Sequence, residues 1–423
     1  MFRYFFKSVL ILVLVSFALP NPARALVHVT VRQQSQTATS EVREDGKIQD
    51  NKEPLVREGE VSDASDAVTS GGVEFVVSGR LLADYRAGNE GLVAVEETSG
   101  KYRIFHACDV VSVTEDEEPF IPLTRKEMQL ALKEEFPSFD TLATDHFLFV
   151  YDTSEGYAAW CGKLFESLYE SFERYRRRLD LDLEHPKVPM VVVLFGGKEE
   201  FLKYAQEDTD GATQILAYYH RLDNRTILYD LSEVESQVPS EKRRSRSYKQ
   251  VSEILSRPQA GFNVATIVHE ATHQIAFNRG MFPRTGPFAL WLAEGVSMYF
   301  ETPDSRSRHG WTGRGLSDRP NSYRLAVLRE FAKNPTPDPL QQIVRETDYL
   351  KDAQNSYALS WSLFYYLNEK TPKKLAKYID LLREKTPFTV YSPEERISDF
   401  EACFGDDWQD MYKVYSKFFR DLD

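Results

Sequence analysis

Two histidines four residues apart, His269 and His273, enclose a glutamate in the run Val268-His269-Glu270-Ala271-Thr272-His273-Gln274. At about 100° per residue, an α-helix puts the two imidazoles about 40° apart and one turn apart along the axis. Both rings can then reach one ion, and Glu270 falls about 60° from His273 on the same side, beside the ion rather than aimed at it. The spacing predicts a helix that Asn263 caps and Gly280 ends. Its apolar stripe, Val264, Ile267, Val268, Ala271 and Ile275, lies opposite the histidines, whose neighbours Ala265 and Ala276 are small. Histidines off the core face beside small residues suit a ligand better than a packing role, and the spacing points to a metal site with His269 and His273 as ligands.

A catalytic zinc needs a third protein donor and one position left for water. Thr285-Gly286-Pro287 reads as a helix start with Pro287 at the first helical position, and the helix runs through Trp291-Leu292-Ala293-Glu294-Gly295 to about Glu301. Glu294 is the only charge in the apolar run of residues 288–298. A carboxylate so placed requires a cation, so Glu294 is the expected third ligand of Zn2+. Glu270 is the expected base for the water.

The rest of the chain reads as α+β. Residues 1–25 look like a signal peptide: Arg3 and Lys7 precede an apolar run, and Ala23-Arg24-Ala25 offers a small-x-small cleavage pattern. The expected location is secreted or periplasmic, with an uncleaved anchor as the alternative. Residues 26–72 are expected to be a flexible linker, since the stretch from about 33 to 72 is rich in Ser, Thr, Gln, Asp and Glu and nearly free of aromatics. Residues 73–120 show four short alternating runs and are expected to form a small antiparallel β-module. Residues 121–423 then form the zinc-binding domain. Residues 146–151 and 188–195 read as strands around a helix over 157–179, residues 215–220 and 226–231 read as a hairpin, and the periodic segments from about 241 onward are helical. A strand-rich half followed by a helical half puts a cleft between them.

Formal net charge is -13, and -16 once residues 1–25 and their three basic side chains are removed, which excludes nucleic acid and anionic membrane as main partners. The basic run over residues 242–246 reads as a solvated helix face. Cys108, Cys161 and Cys403 are too few and too scattered for a disulfide framework or a zinc knuckle.

His-Glu-x-x-His followed by Trp-Leu-x-Glu-Gly resembles the gluzincin clan of metallopeptidases, and in detail the secreted bacterial peptidase-MA-like families, over residues 136–423. The resemblance implies a thermolysin-like catalytic core with an active-site helix, a glutamate helix and an edge strand that binds substrate backbone. It also implies a Tyr or His from a later helix that stabilises the oxyanion, for which Tyr357 stands at the matching position, with Tyr299 and His309 as weaker candidates. Two features depart from the pattern. Met298 stands where thermolysin-like enzymes carry an aspartate that orients a histidine, and the Gly-x-Met-Glu-Asn signature of aminopeptidases is absent.

The expected chemistry is hydrolysis of a peptide bond in a peptide or protein substrate, with Zn2+ activating water and Glu270 carrying the proton. Residues 226–231 are the expected strand for pairing with an extended substrate. Two alternatives stay open at this point: a zinc-binding assembly or binding protein without catalysis, and a hydrolase of cell-wall peptide.

Overall fold

Alternating apolar residues build the smaller of two units. The computed structural model describes residues 25–33, 73–86, 91–206, 208, 215–232, 244–302, 320–347 and 352–422. The smaller unit covers Pro20–Val95 and Ile104–Phe120, and the larger one Glu96–Arg103 and Ile121–Asp423. Strands β1 (Ala25–Gln33), β2 (Val73–Tyr85), β3 (Leu92–Glu96), β4 (Tyr102–His106) and β5 (Val110–Pro119) form a sheet in the order β4-β3-β2-β1-β5. Val27, Val29 and Val31 alternate onto one face, where they pack with Val93 and Val95.

This corrects the expected linker over 26–72. Its first eight residues are strand, antiparallel to β2 on one side and β5 on the other. The β-module therefore begins before residue 73 and has five strands; residues 34–72 and the signal segment 1–24 lie outside the described residues.

In the larger unit, β6 (Asp140–Ala143), β7 (Phe147–Tyr151), β8 (Met190–Phe195), β9 (Ala217–His220) and β10 (Arg225–Tyr229) form a second sheet, ordered β6-β7-β8-β10-β9. The β7/β8 and β8/β10 pairs are parallel, and β6 and β9 are antiparallel edges. The central strands are apolar on both faces because both are covered. Leu148, Val150, Val191, Val193 and Ile227 pack with helices α1 (Arg125–Glu135) and α3 (Lys198–Ala205) through Met128, Leu132, Phe201 and Ala205. Phe147, Phe149, Val192 and Leu194 join the main core with α2 (Glu155–Arg178) and the later helices.

The strand expected to bind substrate is β10, and it lies between β8 and β9 with both edges paired. It has no free ladder to offer. Among the described residues the edge strands of this sheet are β6 and β9.

The helical half consists of α4 (Tyr248–Leu255), α5 (Gly261–Asn278), α6 (Leu290–Phe300), α7 (Ser322–Phe331), α8 (Pro339–Arg345), α9 (Ala353–Lys370), α10 (Pro372–Arg383), α11 (Pro393–Phe404) and α12 (Trp408–Arg420). Helix α5 starts two residues before Asn263, which caps nothing and instead donates from Nδ2 to the Leu231 carbonyl. Its other end follows the glycine signal. Gly280 takes φ +69°, and the N–H groups of Gly280 and Met281 bond the carbonyls of Phe277 and Ala276 in a Schellman arrangement.

Helix α6 begins at Leu290, so Pro287 precedes it rather than opening it. All eleven of its residues are buried, as an apolar helix enclosed by others must be. Helix α9 lies tight against it at Gly295, where a Cβ would come within 2.6 Å of Phe364 Cβ and 2.8 Å of the Ser360 carbonyl.

All three cysteines are free; Cys161 and Cys403 are buried and Cys108 is exposed. Arg244, in the basic run, is exposed and pairs with Asp152 at 3.3 Å; Lys242 and Arg243 lie outside the described residues. Among the described residues no helix is long and apolar enough to cross a membrane.

Candidate metal centre

Helix α5 is pinned to the sheet by its amide side chains. Gln274 donates to the carbonyls of Val191 and Asn224 and accepts from the Thr226 hydroxyl, while Asn278 and Asn224 bond side chain to side chain. These are buried polar groups with partners on two strands, and they set the rotation of the helix about its axis. The face away from those anchors carries His269 and His273.

Helix α6 brings Glu294 against the two rings. His269 Nε2 lies 3.2 Å from Glu294 Oε2 and 3.1 Å from His273 Nε2, and His273 Nε2 lies 3.5 Å from Glu294 Oε1. His269, His273 and Glu294 form a group of side chains able to hold a metal ion, one donor atom from each lying within 4.8 Å of the others. Donors bonded at about 2.0–2.2 Å to one tetrahedral ion sit about 3.3–3.6 Å apart. The separations between the imidazole nitrogens and the carboxylate are close to those edges, so the residues fit a small divalent ion.

The distal ring nitrogens are held as a metal ligand requires. His269 Nδ1 lies 3.2 Å from Glu301 Oε2, and His273 Nδ1 lies 3.1 Å from the Ser297 hydroxyl. A proton on Nδ1, given to these acceptors, leaves each Nε2 lone pair facing the shared point. Glu301 is in turn bonded by Asn321 Nδ2 at 2.8 Å and by Arg324 Nε at 3.3 Å, both on its Oε1.

Sequence reasoning alone misses Glu301 and Ser297. Glu301 is the carboxylate that meets His269 Nδ1, and Met298 is buried in the core. A signal existed: Glu301 follows Glu294 by seven residues, two helical turns, which returns it to within about 20° of the same face.

The electrostatics follow from burying three carboxylates around two imidazoles. Burial works to raise the Glu294 carboxyl, yet His273 and His269 outweigh it and hold it well below the usual range. Burial would lower His269, but Glu294 and Glu301 push it up to about 10. Glu301 is lowered against its own burial by His269, Arg324 and Asn321. Glu270 goes the other way: burial raises it and Glu294 adds to the rise, while the two histidines and the Tyr219 N–H oppose.

Glu270 is beside the ligands on α5, and its Oε2 accepts the Tyr219 backbone N–H at 2.9 Å. That contact ties it to the edge strand β9. Tyr357, near the start of α9, is half-buried with the Arg324 guanidinium carbon 5.3 Å from its ring centroid. Burial, then Glu294 and Glu270, push its phenol well above the usual value against the opposing Arg324. Tyr299 is elsewhere. Its hydroxyl accepts from Arg178 at 3.3 Å and its ring packs on Tyr175, on the α2 side of α6. His309 lies outside the described residues.

Residues 263–389 match a family described as "Protein of unknown function (DUF1570)". No curated protein matches the chain. The matched stretch runs from the start of α5 to beyond α10 and contains His269, Glu270, His273, Glu294, Glu301 and Tyr357.

Proposed function

We propose that the protein is an exported zinc-dependent peptidase. The observation that carries this reading is a group of three protein donors with a further carboxylate, Glu270, set beside them and bonded to the edge strand β9. A purely structural zinc site usually has four protein donors and no need of that carboxylate. Export is supported by the signal-like pattern of residues 1–25.

Zinc, when bound, supplies Lewis acidity at the scissile carbonyl and a lowered pKa for water. Glu270 accepts the proton of the attacking water on its carboxylate and passes it to the leaving amine. Its raised proton affinity suits both halves of that task. Tyr357, with a phenol that stays protonated, donates its hydroxyl to the oxyanion that develops on the carbonyl. Strand β9, in place of β10, is the edge that meets the backbone of an extended peptide, with Tyr219 next to the base.

The test is zinc content together with cleavage of a peptide library by wild type and Glu270→Gln. Both proteins should hold one zinc per chain, and only wild type should cleave. A zinc-loaded wild type that cleaves no faster than Glu270→Gln removes the peptidase reading and leaves a zinc-binding protein without catalysis.

A further inference from the structure

Arg324 touches both Glu301 and Tyr357 beside this site. Its side chain is 15% exposed, and its Nε donates to Glu301 Oε1 at 3.3 Å. The other oxygen of the same carboxylate lies 3.2 Å from His269 Nδ1. Its guanidinium carbon lies 5.3 Å from the ring centroid of Tyr323 and 5.3 Å from that of Tyr357, within cation–π reach of both rings. Three elements converge on it: α6 through Glu301, α7 through Arg324 itself and Tyr323, and α9 through Tyr357.

Arg324 supplies the cation that pairs with the Glu301 carboxylate, whose other oxygen meets His269. A flat, delocalised cation can satisfy a carboxylate along its edge while its faces lie on aromatic rings; an ammonium cannot do both.

We infer that Arg324 is a positioning residue that joins the metal ligand His269 to Tyr357, holding the imidazole through Glu301 and the phenol ring through its cation–π contact. It acts through those two groups and touches no reacting atom. The Tyr357 half of this inference rests on the peptidase reading above, whereas the His269 half rests on metal binding alone.

The test uses the cobalt-substituted full-length protein with Arg324→Gln and Arg324→Lys. Both substitutions should alter the visible cobalt spectrum and weaken cobalt and zinc binding about tenfold, as loss of an outer-shell support does. Lysine should fail to rescue because it keeps the charge and loses the plane; it also carries the test if Arg324→Gln does not fold. In peptide cleavage, Arg324→Gln should lower kcat with KM changed less than about twofold, and adding it to Tyr357→Phe should cost less than the product of the two separate losses. Wild-type spectra and affinities in both substituted proteins, or strictly multiplicative losses with Tyr357→Phe, would overturn the inference. A wild type that binds cobalt and cleaves nothing defeats the peptidase reading instead, and the spectra still decide whether Arg324 holds His269.

Discussion

Glu301 Oε2 lies 3.2 Å from Nδ1 of His269, while Glu294 Oε2 lies 3.2 Å from Nε2 of the same ring. One imidazole is thus gripped at both nitrogens by carboxylates from a single helix, Glu294 in its middle and Glu301 at its C-cap, two turns apart. The near contact brings a donor to the ion; the far one decides which nitrogen carries the proton. A metal ligand needs both, because an imidazole protonated at Nε2 has no lone pair to give.

Replacing Glu301 by glutamine keeps the shape and changes the logic. A glutamine can turn an N–H toward His269 Nδ1, which favours the tautomer with Nε2 protonated. Metal affinity should fall by about 10- to 100-fold, read by competition against a chelating dye. Unchanged affinity would show that the Glu301 contact does not set the tautomer.

Gly295→Ala should destabilise the fold even though alanine is the better helix former by about 1 kcal/mol. The added methyl would meet Phe364 Cβ at 2.6 Å and the Ser360 carbonyl at 2.8 Å, and α9 must retreat. Overpacking of this kind costs about 1–3 kcal/mol. Because Tyr357 is carried on α9, peptide cleavage should fall as well. Urea unfolding of the two proteins measures the first effect, and an alanine protein as stable as wild type would contradict the close packing.

Tyr357→Phe removes one hydroxyl from the centre. If that hydroxyl meets the oxyanion, kcat should drop by about 10²–10³ with KM nearly unchanged, since the contact forms in the transition state. Zinc content should stay at the wild-type level. A rise in KM with kcat preserved would make Tyr357 a binding residue.

Away from the centre, Glu135 takes two hydrogen bonds from Arg225, at 2.5 and 2.6 Å. Burial alone would raise its carboxyl, but Arg225 and Lys101 outweigh it and bring it below the ordinary 4.5. A carboxyl depressed in the folded state adds stability above the unfolded value and loses it as pH falls through the folded one. Glu135→Gln should therefore melt lower than wild type at pH 6, and the gap should close as pH drops below about 4. Thermal melts across pH 3–6 check this, and a gap that widens toward acid would contradict it.

Local periodicity made the chemistry-bearing parts legible. The one-turn spacing of His269 and His273 needs only a helix, and the lone charge of Glu294 in an apolar run needs only a cation, so neither depends on knowing a tertiary contact. The hairpin of β9 and β10 was equally readable from its turn at residues 221–224. What escaped was set at longer range. The alternation Val27, Val29, Val31 is plain in β1, but its partner β2 begins at Val73, and proximity to the signal-like segment disguised it as linker. Strand order decides that β10 is interior and β9 an edge, and nothing in either strand's own residues encodes it. Asn263 and Pro287 are sound local signals overridden by packing: α5 begins before the first, and α6 after the second.

Diffraction from crystals grown with zinc, collected on both sides of the zinc absorption edge, tests the central claim most directly. The account predicts one anomalous peak about 2.0–2.2 Å from Nε2 of His269, Nε2 of His273 and a carboxylate oxygen of Glu294, with no fourth protein ligand and with Glu270 alongside. A peak elsewhere, or an ion closed off by a fourth side chain, would contradict it.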